Sequence, residues 1–370
     1  MKYQINKYLA NLPGWRTKRK IVVFESDDWG SIRMSSKKDR ELLSKKGFDF
    51  TNQPFNQFDA LESNADLENI LGTLSKHRDS NGKLPVFTFV NIIGNPNFTK
   101  IKESNYREYF WEPFTETLKR YPSHDKVYQL YKDGVNNQLI YPVLHGREHL
   151  HVQRWLRKLQ TGNKSLLLAF EHGVTGVHKG VNNEFIGNYQ AAFDLDFLSE
   201  LPFMENAIKD ASSVFLKLWG YKSRYFVPPN GPFNNSLECV LKKYGVDYLL
   251  TERLQREPWG EGKYKTHIHY LGMKNKSGQC YITRNAFFEP VSDKNSVHTC
   301  LKDIERAFRW CKPAVISSHR VNYIGFIEDS NRTKNLKALD ELLQQILKHW
   351  PDVEFMTSVE LGDFINQKRT

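Results

Sequence analysis

Two short stretches of the sequence combine residue types that can hold a metal and move a proton. Asp27–Asp28–Trp29–Gly30 follows directly on the apolar run at residues 20–26 (KIVVFES), and His145–Gly146–Arg147–Glu148–His149 follows the run at residues 138–144 (QLIYPVL). Residues four apart share one face of a helix, and two imidazoles so placed can approach one ion. A carboxylate completes the set for a borderline cation such as zinc, and Asp28 is the candidate. Two His and one Asp leave a coordination position open, as a catalytic site requires and a structural one does not. Asp27 and Asp28 are adjacent, so at a strand end their side chains diverge. One can ligate while the other faces water as a general base, kept ionised by the cation. His319, in the run Ser317–Ser318–His319–Arg320, ends another apolar stretch and could give a proton to a leaving group. Each piece has a plain alternative: a helix cap with a surface histidine, a turn made by two aspartates, a satisfied structural histidine. Their shared position after apolar runs favours the chemistry.

The elements that must place these residues form one rhythm of short apolar strand, loop and amphipathic helix. The spacing predicts strands at residues 20–26, 85–90, 138–144, 224–227, 246–250, 314–318 and 353–356. It predicts helices at 66–77, 198–219, 235–244, 297–311, 331–350 and 358–366, the first capped by Ser63 or Asn64. Residues 256–278, with their Gly, Lys and Pro, read as an excursion or hairpin. Strand–helix alternation implies a parallel sheet, and seven or eight such units favour closure into a barrel. The expectation is an α/β chain forming a distorted (β/α)7–8 barrel, a single domain over residues 1–370 with insertions after the first two strands. In such a barrel the loops after the strands share one rim, where active sites lie. Residues 228–232 (PPNGP) also follow a strand, which makes Pro229 and Asn230 candidates for substrate contact, with Trp29 and Arg320.

Composition narrows the classes further. The 370 residues are 39% hydrophobic and 13% aromatic, which suits a globular chain able to bury a large core. Cys239, Cys280, Cys300 and Cys311 show no C-x-x-C spacing, so neither a thiolate metal site nor a redox motif is indicated. The net charge of +11 is spread along the chain, and no nucleic-acid motif accompanies it. The reading is a solvated basic surface, with an anionic glycan or membrane-associated substrate as the minority alternative. The first twenty residues lack the apolar stretch of a signal peptide, and no run is long enough to cross a bilayer, so the expected location is the cytoplasm.

On these residues the chain resembles the polysaccharide deacetylase family of carbohydrate esterases. FESDDWG is similar to that family's Asp-Asp motif at the end of its first strand, HGREH to its H-x-x-x-H motif, and ISSHR to its late motif with an active-site histidine. The resemblance implies a distorted (β/α) barrel, Asp27 as general base, Asp28, His145 and His149 as metal ligands, and His319 as general acid. It implies a divalent metal, zinc first, with cobalt, nickel, manganese or iron as alternatives, and a carbohydrate substrate losing an N- or O-acetyl group. Two departures stand out. Val227 occupies the position of the family's Arg before Pro-Pro, the arginine that orients the base, so Arg33, Arg147 or Arg320 would have to supply the guanidinium. A tryptophan, Trp29, is inserted before Gly30.

Two rival functions follow. Related barrels cleave glycosidic bonds with paired carboxylates, for which Glu148, Glu171 and Glu252 are the extra candidates. The missing arginine alternatively suits a barrel that binds glycan without catalysis. Trp29, Trp259 and Phe233 could each offer a face to a sugar ring or simply pack in the core.

Overall fold

The computed structural model describes residues 13–51 and 53–367; most of the N-terminal stretch read above for a leader lies outside them. Its main sheet contains β1 (Ile21–Trp29), β2 (Phe87–Ile92), β3 (Ile140–Gly146), β4 (Tyr225–Phe226), β5 (Tyr248–Leu250), β6 (Cys280–Ile282), β7 (Ala286–Phe287), β8 (Ala314–His319) and β9 (Glu354–Phe355). The spatial order is β6-β5-β4-β3-β2-β1-β8-β7, every neighbouring pair parallel. That is chain order around a barrel, opened between β6 and β7. β9 pairs with Ile21 and Val22 of β1. Val22 also pairs with Ala314 of β8, so β9 lies on the β2 side of β1, below the point where β2 joins at Phe24.

The sheet's two faces sort the apolar residues by alternation. Val22 and Phe24 turn outward with Phe87, Phe89, Ala314 and Ile316, against the helices Asn64–Leu74, Val127–Asn136, Ser296–Arg309 and Asp329–His349. Ile21 and Val23 turn inward with Val90, Val143, Tyr225, Tyr248, Ile282 and Val315. The floor of the barrel is filled by Val359, Leu361 and Ile365 of the helix Ser358–Gln367. The helix Asn64–Leu74 starts at Ser63, whose backbone N–H and hydroxyl both donate to Asp66.

All seven expected strands and six expected helices are present, with ends shifted by a few residues. The expected excursion is an antiparallel hairpin, Leu254–Pro258 with Tyr264–Ile268. β6 and β7 were not foreseen: three and two residues long, separated only by residues 283–285, they carry too little pattern to mark a strand. Among the described residues no helix is long and apolar enough to cross a membrane, and all four cysteines are free.

Candidate active site

Glu25 and Asp27 follow Ile21 and Val23 on the inner face of β1. Strict alternation would turn Asp28 outward with Phe24. Instead the register with β2 breaks between Ser26 and Trp29, and Asp28 adopts a left-handed φ of 78°. The break brings Asp28 into the cleft and sends Trp29 to the helix layer. There Trp29 is fully buried and stacks on Phe89 at 3.9 Å. Trp29 is therefore a core residue, and the expectation that it offers a face to substrate is corrected.

His145 and His149 are not on a helix. His145 ends β3, and Gly146 at φ 132° turns the chain so that His149 comes back over the same point. The Nε2 atoms of His145 and His149 lie 3.5 and 3.0 Å from Asp28 Oδ1. Asp28 Oδ2 faces Arg33 at 3.8 Å. His145 Nδ1–H donates to the Val227 carbonyl at 2.7 Å, which fixes the tautomer and leaves Nε2 as a lone pair. That Nε2 is buried and has no hydrogen-bond partner among the described residues. A buried, unsatisfied imidazole lone pair beside a carboxylate and a second imidazole is costly unless an ion occupies the gap. Asp28, His145 and His149 thus form a group that could bind a metal. Burial resists ionising Asp28, but His149, His145 and Arg33 overcome it and hold the carboxyl well below its ordinary range. Burial keeps the His149 imidazole neutral, the form that ligates.

Asp27 points the other way, to Arg284. Arg284 Nη1 and Nη2 donate to its two oxygens at 2.7 and 2.6 Å, and Nε donates to Glu25 at 2.6 Å. Glu25 in turn accepts from Tyr225 and Ser358. Burial opposes the charge on Asp27, and Arg284 outweighs it, so the carboxyl sits below its ordinary value. Arg284 comes from the three-residue step between β6 and β7. It provides the guanidinium that Val227 cannot, and none of the three arginines expected for that task does. Arg33 is on the Asp28 side. Arg147 donates to Glu148 and Asp210. Arg320 is fully buried and donates to Asp59, Glu62 and the Ser31 carbonyl, so its expected role in substrate contact is corrected to that of a structural ion-pair centre. Sequence did hold one signal for Arg284: Glu25, two residues before Asp27 in an apolar strand, needs a cation on that face.

His319 is the neighbour of Asp27 on the adjacent strand β8, its Nε2 3.9 Å from Asp27 Oδ2. Its Nδ1–H donates to Glu289 at 2.6 Å, and Glu289 accepts a second bond from Asn322. Burial works against the imidazolium, but Glu289 outweighs it and pushes His319 up to about 9. Glu289 had no sequence signal, since it follows the unforeseen β7.

Two cavities flank this group and share Asp28, Asn230 and His319. One, of about 460 Å³, also holds Asp27, His145, His149, Glu252, Arg284 and Phe287. The other, of about 300 Å³, is rich in side-chain amides, including Gln53, Asn56 and Gln190, with Phe55. Pro229 is buried and lines neither; Pro228 takes its place, a third correction among the expected substrate contacts. Asn230, at φ 57°, reaches both. Phe233 is buried against Phe193 and Phe226, and Trp259 is exposed beside the hairpin, outside both linings. Of the extra carboxylates, Glu148 is tied to Arg147, Glu171 is exposed and paired with Lys102, and Glu252 alone faces the cleft.

No protein-family model and no curated protein matches the chain. Solved structures that it resembles include one described as a polysaccharide deacetylase from Mycobacterium smegmatis, at 10% identity and a TM-score of 0.44, with 96% of this chain and 94% of that chain covered. Another is PuuE allantoinase, at 12% identity and 0.45, with 96% and 94% covered. A third is BA3943, a CE4 family pseudoenzyme from Bacillus anthracis, at 13% identity and 0.34, with 93% and 65% covered. These are likenesses of fold at low scores, and the chemistry of the site rests on its own geometry.

Proposed function

We propose that the chain is a metal-dependent hydrolase that removes an N- or O-acetyl group from a carbohydrate. The observation that carries this reading is the buried His145 Nε2, unpartnered among the described residues and grouped with His149 and Asp28, beside the ion-paired Asp27 and His319. The donor set, two imidazole nitrogens and one carboxylate oxygen, suits zinc, with cobalt, nickel, manganese or iron as substitutes. A divalent ion bound there supplies Lewis-acid polarisation of the acetyl carbonyl and acidifies water. The protein's own residues do the rest. Asp27, held ionised and oriented by Arg284, takes the proton of the attacking water. His319, charged through Glu289, donates from Nε2 to the departing amine or alkoxide. Asn230 and the amides of the smaller cavity supply hydrogen bonds to sugar hydroxyls, and Phe55 and Phe287 replace Trp29 as the aromatic walls.

The test is product analysis on acetylated oligosaccharides with the zinc-loaded protein and its Asp27→Asn variant. Acetate release with chain length intact, lost in the variant while metal is retained, is the expected result. Shortened chains would instead favour glycoside cleavage with Glu252 as a participant. No turnover with any of the five metals would leave a glycan-binding protein.

A further inference from the structure

Where β6 gives way to β7 the sheet is open, and a separate cavity of about 220 Å³ lies in the seam. Its lining includes Arg253, Arg284, Arg306, Lys312, His269 and Phe287, with no aspartate or glutamate among the described residues. The cations differ in how they are compensated. Arg284 is neutralised by Glu25 and Asp27, and Arg306 donates to Asp303. Lys312 is buried, and its ammonium donates to the carbonyls of Pro13, Gly14 and Trp15 at 2.7–2.8 Å, with no acid beside it among the described residues. Arg253 is half-buried and makes no ion pair or side-chain hydrogen bond among the described residues. Two positive charges without a counter-charge therefore line one small cavity. Burial, reinforced by Arg16, lowers Lys312 to about 8.

The seam is not isolated from the cleft, because Arg253, Arg284 and Phe287 line both. A guanidinium fork with free donors matches the two oxygens of a carboxylate or phosphate. A second group there asks for a donor. His269 Nε2–H donates to Gln255 Oε1 at 2.7 Å, and Gln255 is itself oriented by its amide donating to Phe233 and Asn235. His269 Nδ1 is thereby left as a buried lone pair with no partner among the described residues, suited to accept from a hydroxyl.

We infer that the seam is a subsite for an oxyanion on a hydroxylated ligand, with Arg253 as its main contact, so that the substrate is an acidic sugar chain bearing a carboxylate or phosphate beside the acetylated unit. The naming of the ligand as a sugar rests on the proposed function; the oxyanion site does not depend on hydrolysis. Calorimetric titration of the zinc-loaded protein with glucuronate and with inorganic phosphate, on wild type, Arg253→Gln and Arg253→Lys, tests it. Binding of either anion that weakens roughly ten- to a hundredfold in Arg253→Gln, and less in Arg253→Lys, at unchanged zinc content, supports the subsite. Which anion binds says whether carboxylate or phosphate is recognised. Binding of neither to wild type, or equal binding to wild type and Arg253→Gln, overturns it. Arg253-dependent binding without acetate release from any substrate would sink the hydrolase reading while leaving the subsite in place.

Discussion

The two halves of the barrel are built differently. Around β1 the strands are long and paired over most of their length: β1 with β8 from Val22↔Ala314 to Asp27↔His319, and β2 with β3 from Phe87↔Ile140 to Ile92↔Gly146, with one register shift after Asn91. Toward the seam, β3 and β4 share only Leu144↔Phe226, and β7 holds β8 through two residues. The candidate metal ligands Asp28 and His145 lie next to the ends of strands in this better-paired arc. Arg284 and Glu289, which set the charge of Asp27 and His319, sit at the seam. A metal group needs fixed geometry, which long parallel ladders provide. Groups that act through charge need only to be within reach.

This division can be broken from either side. The largest effect is expected from His145→Ala combined with His149→Ala, which should take the bound metal from about one per chain to none by elemental analysis and abolish turnover. Arg284→Leu should come next. It leaves Glu25 and Asp27 buried without their cation, at a cost of about 3–5 kcal/mol in denaturant unfolding, and it should cut acetate release while metal content stays. Adding Val227→Arg to that variant sharpens the comparison: partial recovery of rate would show that the guanidinium's position matters and its strand of origin does not.

Glu289→Gln should act through pH. His319 is raised to about 9 by Glu289, so its stabilisation is fully present below an ordinary histidine pKa of about 6.5 and is lost as pH rises through about 9. An acid that must be protonated then fails above about 9 in the wild type, and the alkaline limb of the rate profile should move down toward 6.5 in the variant. An unmoved limb would remove His319 as the acid. The smallest effect on stability belongs to Phe287→Ala, whose ring on β7 is 48% exposed; a change within about 0.5 kcal/mol in denaturant unfolding is expected. Phe89→Ala on the buried arc should cost about 3–5 kcal/mol.

The same contrast explains what could be read from sequence. Asp27, Asp28, His145 and His319 end apolar runs of four residues or more, and such runs announce strands. Arg284 and Glu289 flank strands of two and three residues and lie more than 250 positions from Asp27, so no local pattern connects them to it. Trp29 was misread because one left-handed residue, Asp28, reverses which side the next side chain takes. Arg320 was misread because the residue after His319 turns back into a buried cluster with Asp59 and Glu62, carboxylates that give no hint of their partner. The open seam itself, with its cations, is a property of pairing that fails to form, and a sequence pattern does not record it.

Ser358, at the start of the helix that fills the barrel floor, donates its hydroxyl to Glu25, a partner 333 residues away in the chain. Glu25 steadies Arg284, and Arg284 steadies Asp27. On the ribosome this order runs backwards. The two carboxylates emerge first and wait for their arginine and then for the serine, an interval on the order of tens of seconds at ordinary elongation rates. Until Arg284 is made, the nascent chain carries the two carboxylates without their cation. Nascent chains stalled before Ser358 would hold most of the barrel wall and still lack the last brace of Glu25.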